Sequence, residues 1–383
     1  MMQVPNSDSP LLLGVTVCYG KPNRKGLPFA EYPFFQQLSL FGKRMGIHVL
    51  VFNPREINWT KRTVSCWYFK TQGEWINAVF PLPAILYDRC YYYNTLHFRK
   101  YKPAIQRILQ DEKIILLGRP LGGKLQTYNI LKQNKNLIPF LPQTIRYTQP
   151  NDAIQFVHTH AAALIKPNGG SHGRGVVALI KEQNQYILKG RSIDNVDFKT
   201  TLNSEQELRA WLQQFIQTTK YIVQPFLSLY TQDERPFDVR ILVQKNERKM
   251  WETTGIAVRT GKPTTITSNL HGGGEAEKFH TFLQRNYPTY LIENIVRTIR
   301  LVSIKTPQFI EENHGSLFEL GIDVGIDRRG HIWILEVNSK PGRTVFIKTG
   351  EQHLRERAIQ LPILYAQTLF NELKEGNYDI HYM

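Results

Sequence analysis

Apolar and β-branched residues fill positions 11–18 and 47–52, and between them the apolar residues of 34–45 recur at helical spacing. The pattern predicts strand, helix, strand. Short alternating or apolar runs follow between 63 and 93, and one of them, 84–87, ends on the polar pair Asp88-Arg89. A helix over 101–110 and a strand over 113–117 complete a small α/β unit, residues 1–120, of the kind that carries ligands at the carboxyl ends of its strands. A linker helix over 124–133 and the proline-punctuated Ile138-Pro139-Phe140-Leu141-Pro142 form a connection, 121–160.

From 161 the texture changes. Strands over 161–166, 176–180 and 186–188 are short and closely spaced, as in an antiparallel sheet, and a helix over 205–218 opens on the capping pair Asn203-Ser204. With a strand at 221–225 they make a unit spanning 161–227. The last unit, 228–383, holds strands over 238–244 and 252–258, a glycine-rich loop, one helix running from 268–274 to about 312, and strands over 322–326 and 332–337. No internal repeat or long low-complexity segment is present. The fold class expected is mixed α/β and α+β.

Composition narrows the partners. The chain has 383 residues, 42% of them hydrophobic, which supplies cores for two or three domains. The apolar stretch at 11–18 is too short to span a bilayer, and residues 1–10 lack the basic group of a signal peptide, so a cytoplasmic protein with no membrane partner is expected. Cys18, Cys66 and Cys90 show no zinc-like or redox spacing and read as free thiols. The formal charge of +16, from 48 basic against 32 acidic residues, calls for an anionic partner. The basic residues are spread along the chain without a nucleic-acid-binding motif, so nucleotide phosphates or a small acidic substrate are preferred over nucleic acid.

Three constellations carry chemistry. In Lys166-Pro167-Asn168-Gly169-Gly170-Ser171-His172-Gly173-Arg174-Gly175, between two strands, the glycines let backbone amides at Gly170, Ser171 and Gly173 face an anion while Lys166 adds a charge. Asp323 on one strand, and Glu336 and Asn338 two apart on the next, converge as three oxygen donors that suit magnesium with substrate phosphates as its remaining ligands. Asp238 and Arg240 lie side by side on a strand, with Arg259 on the next and Asn269 in the loop beyond. Arg240 and Arg259 suit a transferring phosphoryl group; a plain Asp238–Arg ion pair is the alternative. Gly118-Arg119-Pro120-Leu121-Gly122-Gly123-Lys124-Leu125 is nearly a P-loop, but Leu125 replaces the magnesium-binding hydroxyl and Pro120 removes an amide donor, leaving only Lys124 as a phosphate contact.

These elements, in this order with Val223-Gln224-Pro225-Phe226-Leu227 and with Pro341-Gly342 after the metal strand, resemble an ATP-grasp enzyme throughout. The details resemble the YheC/YheD group of endospore coat-associated ATP-grasp proteins over nearly the whole chain. The chain is more distantly similar to the glutamate ligase that modifies a ribosomal protein and to D-alanine–D-alanine ligase. The resemblance implies a pre-ATP-grasp domain, a lid with the glycine-rich loop and a metal-binding domain, with ATP gripped between the last two. It also implies spore-coat association.

By position, Lys124 and Lys166 contact phosphates, and Gln224, Pro225, Phe226 and Leu227 meet adenine. Asp238 approaches the ribose, Asp323, Glu336 and Asn338 hold one or two Mg2+, and Arg240, Arg259 and Asn269 face the transferring phosphate. Two departures are that Pro225 replaces the hinge acid of many such ligases, and that Gly321 stands where D-alanine–D-alanine ligase has an arginine. The activity implied is carboxylate–amine ligation through an acylphosphate. A kinase acting on a hydroxyl, a nucleic-acid-binding protein and a coat protein with a vestigial site are the rivals. Tyr91-Tyr92-Tyr93 lines a substrate pocket or belongs to an aromatic core.

Overall fold

The computed structural model describes residues 10–70, 73–170, 173–263, 265, 266, 268 and 274–376. Three sheets follow one another along the chain. The first unit runs β1 (Leu11–Thr16), α1 (Tyr32–Arg44), β2 (Ile47–Phe52), β3 (Ile57–Asn58), β4 (Thr63–Phe69), β5 (Trp75–Pro81), β6 (Ile85–Asp88), α2 (Thr95–Leu109) and β7 (Ile115–Leu117). Strands β2, β1, β6 and β7 are parallel neighbours in that order. Parallel strands covered on both faces must be apolar nearly throughout, which is why β1 and β2 read as continuous hydrophobic runs. From β1 the chain passes to β2 on one side and returns to β6 on the other. The switch leaves a crevice beyond the carboxyl ends of β1 and β6.

After α3 (Lys124–Leu131) comes the second sheet, built from β8 (Ile145–Tyr147), α4 (Pro150–His160), β9 (Ala162–Pro167), β10 (Val176–Glu182), β11 (Gln185–Arg191), β12 (Asp197–Leu202), α5 (Glu205–Ile216) and β13 (Tyr221–Pro225). It is antiparallel, in the order β12-β11-β10-β9-β13-β8. Residues 145–160, which carry no clear sequence pattern, thus contribute its edge strand and a helix whose start is fixed by reciprocal caps between Gln149 and Asp152. Ser204 caps α5 as expected, its hydroxyl accepting from the Glu207 amide at 3.2 Å.

The third unit comprises β14 (Phe237–Lys245), β15 (Trp251–Thr260), β16 (Glu275–Lys278), α6 (Phe279–Asn286), α7 (Thr289–His314), β17 (Glu319–Ile326), β18 (Ile332–Asn338), α8 (Thr344–Lys348) and α9 (Gln352–Glu375). The single helix expected from 268–274 to about 312 is instead a strand and two helices. Pro288 has no amide to donate and holds Tyr287 extended, so the first helix ends at Asn286 and a new one starts at Thr289. The sheet order is β16-β15-β14-β17-β18, all antiparallel. One face of β14 and β17, with Val239, Ile241, Ile322 and Val324, packs into a core with α6 and α7.

Helix α9 binds the first and third units into one body. Its Ile359, Ile363, Leu369 and Phe370 enter the core made by β1, β2 and α1, and its Ala358 packs beside Leu242 and Ala257 of the third sheet. Burying each large aliphatic or aromatic side chain there contributes about 1.5–3 kcal/mol. At this seam Glu319, fully buried, accepts from Arg89 at 3.0 Å, Arg343 at 2.5 Å, Tyr87 at 2.5 Å and Gln244 at 3.1 Å. A charge of this kind is tolerated in the interior only because every lone pair is matched. Glu319→Gln, which leaves two buried guanidinium groups facing a neutral amide, is expected to cost about 3–5 kcal/mol of stability; urea unfolding of the two proteins measures it.

Candidate active site

On β17, Glu319, Gly321 and Asp323 share the face turned away from α6 and α7, and on β14 Asp238, Arg240 and Gln244 share the matching face. Register puts Arg240 beside Asp323 and Asp238 beside Arg259. The contacts follow. Arg240 donates to Asp323 through Nε at 2.5 Å and Nη2 at 3.1 Å, Arg259 donates to Asp238 at 2.6 Å, and its Nη2 lies 3.0 Å from Asp323. The Ser268 hydroxyl donates to the second oxygen of Asp238. Burial pushes the Asp323 carboxyl up, but Arg240 and Arg259 outweigh it and hold Asp323 below the ordinary carboxylate range. Gly321 leaves room for this arrangement, since a β-carbon there would lie 2.8 Å from Pro341 and 3.4 Å from the Arg240 guanidinium. The arginine that the sequence lacks at 321 has its space taken by one from the neighbouring strand.

Across β17 and β18, Asp323 pairs with Glu336, yet the next pair is Val324 with Ile334. Leu335 is therefore an extra residue in a β-bulge. The bulge keeps Ile334 and Val337 in the core while Glu336 and Asn338 share the open face, and Asn338 Nδ2 reaches Asp323 at 3.3 Å. It also frees the Leu335 carbonyl, which accepts from Lys166 Nζ at 3.2 Å. Lys166 comes from the second sheet, so this bond crosses between the two sheets. Burial drives its ammonium down to about 8, with Glu336 opposing and Lys124 adding to the fall.

Lys124 opens α3 and points the same way, 3.2 Å from Glu336 and 3.1 Å from the Gly170 carbonyl. The first amides of that helix, Lys124 and Leu125, are both taken by Asn168 at 2.8 Å. Asn168, not singled out by its sequence context, thus locks the root of the glycine-rich loop to α3 and leaves no P-loop cradle. Gly170 and Gly173 have φ of 99° and 67°, conformations that glycine alone adopts without strain. Ser171 and Asn269 lie outside the described residues.

The stretch after β13 sits apart from this cluster. Gln224 donates to Thr144 at 2.7 Å, Pro225 has no amide, and the Phe226 amide donates to Ala162 at 3.1 Å. Among the described residues the Leu227 amide has no partner. Lys189, missed in the sequence, stands 5.7 Å from the centre of the Phe226 ring.

The structure thus gathers Lys124, Lys166, Asp238, Arg240, Arg259, Asp323, Glu336 and Asn338 around one opening. Among the described residues no three His, Cys, Asp or Glu side chains cluster as a complete metal cage. Two carboxylates and one amide, with phosphate oxygens to complete the shell, fit magnesium rather than zinc. The tyrosine run divides. Tyr92 packs with the Cys18, Cys90 and Tyr101 core, Tyr91 donates to the Lys340 carbonyl at 3.0 Å, and Tyr93 is 68% exposed. Asp88 and Arg89 are buried in ion pairs with Lys340 and Glu319.

Three sheets of this order, with cations from the second facing acids of the third, define an ATP-grasp protein. The model of the YheC/D-like ATP-grasp family matches residues 113–369, and the chain belongs to that family. It is 29% identical over 346 residues to the endospore coat-associated protein YheC of Bacillus subtilis (strain 168), covering 89% of this chain and 93% of that one. Its fold is similar to that of the D-cycloserine synthetase DcsG, with a TM-score of 0.55 at 10% identity over 92% of this chain and 99% of the other. It is likewise similar to the ATP-grasp ligase PsnB complexed with a minimal precursor, with a TM-score of 0.54 at 12% identity over 94% and 99%. Among the described residues no helix is long and apolar enough to cross a membrane.

Lys166 gives the site a measurable signature without any ligand. Its folded pKa lies below the unfolded value of 10.5, so the unfolded chain binds more protons between about pH 8 and 10.5, and stability rises with pH through that window. Comparing pH 7.5 with 9.5, unfolding of the parent is expected to gain about 2 kcal/mol relative to Lys166→Met, which has no such group.

Proposed function

We propose that this chain is an ATP- and magnesium-dependent ligase that activates a substrate carboxylate as an acylphosphate for attack by an amine, on an amino acid or peptide-like substrate. The observation that carries this reading is the meeting of Lys124, Lys166, Arg240 and Arg259 with Asp323 and Glu336 at one opening. Such a site neutralises a polyphosphate and stabilises the charge that develops on transfer, which suits a reaction between two bound substrates. A carboxylate oxygen bonds to the γ-phosphorus as the bridge to ADP breaks. The amine nitrogen then bonds to the acyl carbon, phosphate leaves, and the nitrogen loses a proton.

Arg240 and Arg259 satisfy Asp323, and Lys124 satisfies Glu336. Polyphosphate oxygens would compete with these acids for the cations. Asp323, Glu336 and Asn338 are the residues that would hold magnesium, which would supply charge neutralisation at the phosphates. Lys166, neutral or charged near pH 8 when alone, is held charged by the phosphate beside it. The hinge at 225–227, with Leu227 as the free amide, takes the base.

A hydroxyl substrate in place of the carboxylate makes the same site a kinase. PsnB, an ATP-grasp ligase complexed with a precursor peptide, favours the first reading. The name of YheC supports association with the endospore coat. A coat protein with a vestigial site has no use for Arg240 and Arg259 held on buried acids beside Lys124 and Lys166.

Calorimetry is expected to show heat with Mg-ATP, and Lys166→Ala to weaken that binding about tenfold through loss of a charge-assisted phosphate contact. Glu336→Gln is expected to keep the fold and most ATP affinity while lowering turnover roughly 100-fold or more. ADP release screened against amino acids, peptides and cell-wall precursors supplies the turnover assay. No heat with Mg-ATP in a folded sample rejects the reading, and so does unaltered turnover in Glu336→Gln.

A further inference from the structure

The crevice at the carboxyl ends of β1 and β6 is bounded by the loop 17–31 and by residues 89–102. At its base Lys340 meets Asp88 at 2.6 Å and the Cys90 carbonyl at 2.8 Å. The two walls face each other closely, since a β-carbon built at Gly20 would lie 3.7 Å from the Tyr93 hydroxyl. They also reach the active site, because Tyr91 binds the backbone of Lys340, two residues beyond Asn338.

Charge on these walls is one-sided. Lys21, Arg24, Lys25, Arg99, Lys100 and Lys102 are exposed, and among the described residues none has a carboxylate partner. The one acid within the walls, Glu31, is bound to Arg89 at 2.9 Å. At the other opening Lys124, Arg240 and Arg259 are matched to acids, while Lys166 binds the Leu335 carbonyl. The rim is also apolar where it is most exposed, with Tyr93 at 68% and Leu96 at 73%. Cations in such a setting focus potential on whatever enters between the walls.

We propose that these walls form the docking surface for an acidic peptide, whose aspartate or glutamate side chains bind the six cations while one carboxylate is delivered past Lys340 to the phosphates. This rests on the ligase reading given above and assigns its carboxylate substrate. The same chemical group supplies both the attraction to the walls and the reacting oxygen, whereas a nucleic acid supplies only the first. One face of the Tyr93 ring is already covered by His97, with centroids 4.9 Å apart, which limits base stacking there.

The test is fluorescence anisotropy of a fluorescein-labelled peptide alternating glutamate and serine, with Mg-ATP heat measured on the same samples. The parent chain is expected to bind it more weakly as salt rises, and to ignore the peptide with glutamine in place of glutamate. Lys21→Glu/Arg24→Glu/Lys25→Glu is expected to lose about tenfold or more in peptide affinity, and Lys100→Glu on the opposite wall to lose in the same direction, both with Mg-ATP binding unchanged. Equal binding of the two peptides, no loss in either variant, or displacement by a single-stranded oligonucleotide at lower concentration than unlabelled peptide overturns the proposal. Absence of Mg-ATP heat with the peptide still bound rejects the ligase reading and leaves the acidic-peptide surface standing.

Discussion

The buried carboxylate of Glu319 fixes how the molecule is assembled. Arg89 arrives from the end of β6 in the first sheet, Arg343 from the loop after β18, and Gln244 from β14. An interior charge loses several kcal/mol of solvation, and only a full set of donors in one geometry offsets it. The two sheets therefore have one way to meet. That meeting sets the carboxyl ends of β1 and β6 against the residues after Asn338.

The same strand carries the other acid. Glu319 and Asp323 lie four apart on β17, on the face opposite α6 and α7, with Gly321 between them. The two differ in what surrounds them. Glu319 has no exposure and its donors come from elements that cannot leave without opening the seam, so it is structural. Asp323 is held by Arg240 and Arg259, and all three side chains keep some exposure to solvent. One strand face thus joins a sealed ion cluster to a solvent-accessible one.

Much of this was legible in the chain because it rests on short-range spacing. The period of two placed Glu336 beside Asn338 and Asp238 beside Arg240, and glycine spacing located the loop after Lys166. What was not legible depends on distant partners. Arg89 reads as the polar end of a strand, and nothing local says that it meets a glutamate 230 residues away. The bulge at Leu335 hides in a run of four apolar residues, Ile332 to Leu335, and it decides that Lys166 has a carbonyl to bind. Helix α9 has a broad apolar surface because it faces two cores, so its periodicity is blurred. Residues 145–160 give no strong pattern because β8 is three residues long.

The charge of +16 resolves into two populations once the fold is known. One is internal, made of the cations paired with Glu319, Asp88, Asp238, Asp323 and Glu336, and it contributes nothing to long-range attraction because each is neutralised within a few ångströms. The other is external and includes the walls of the first-sheet crevice, where no acid offsets Lys21, Arg24 or Lys100. Paired cations have fields that cancel within a few ångströms, while the unpaired cations on the rim act on anions at a distance. A net charge that looks diffuse in the sequence therefore separates, in the fold, into ion pairs that are silent at long range and a rim whose field reaches outward.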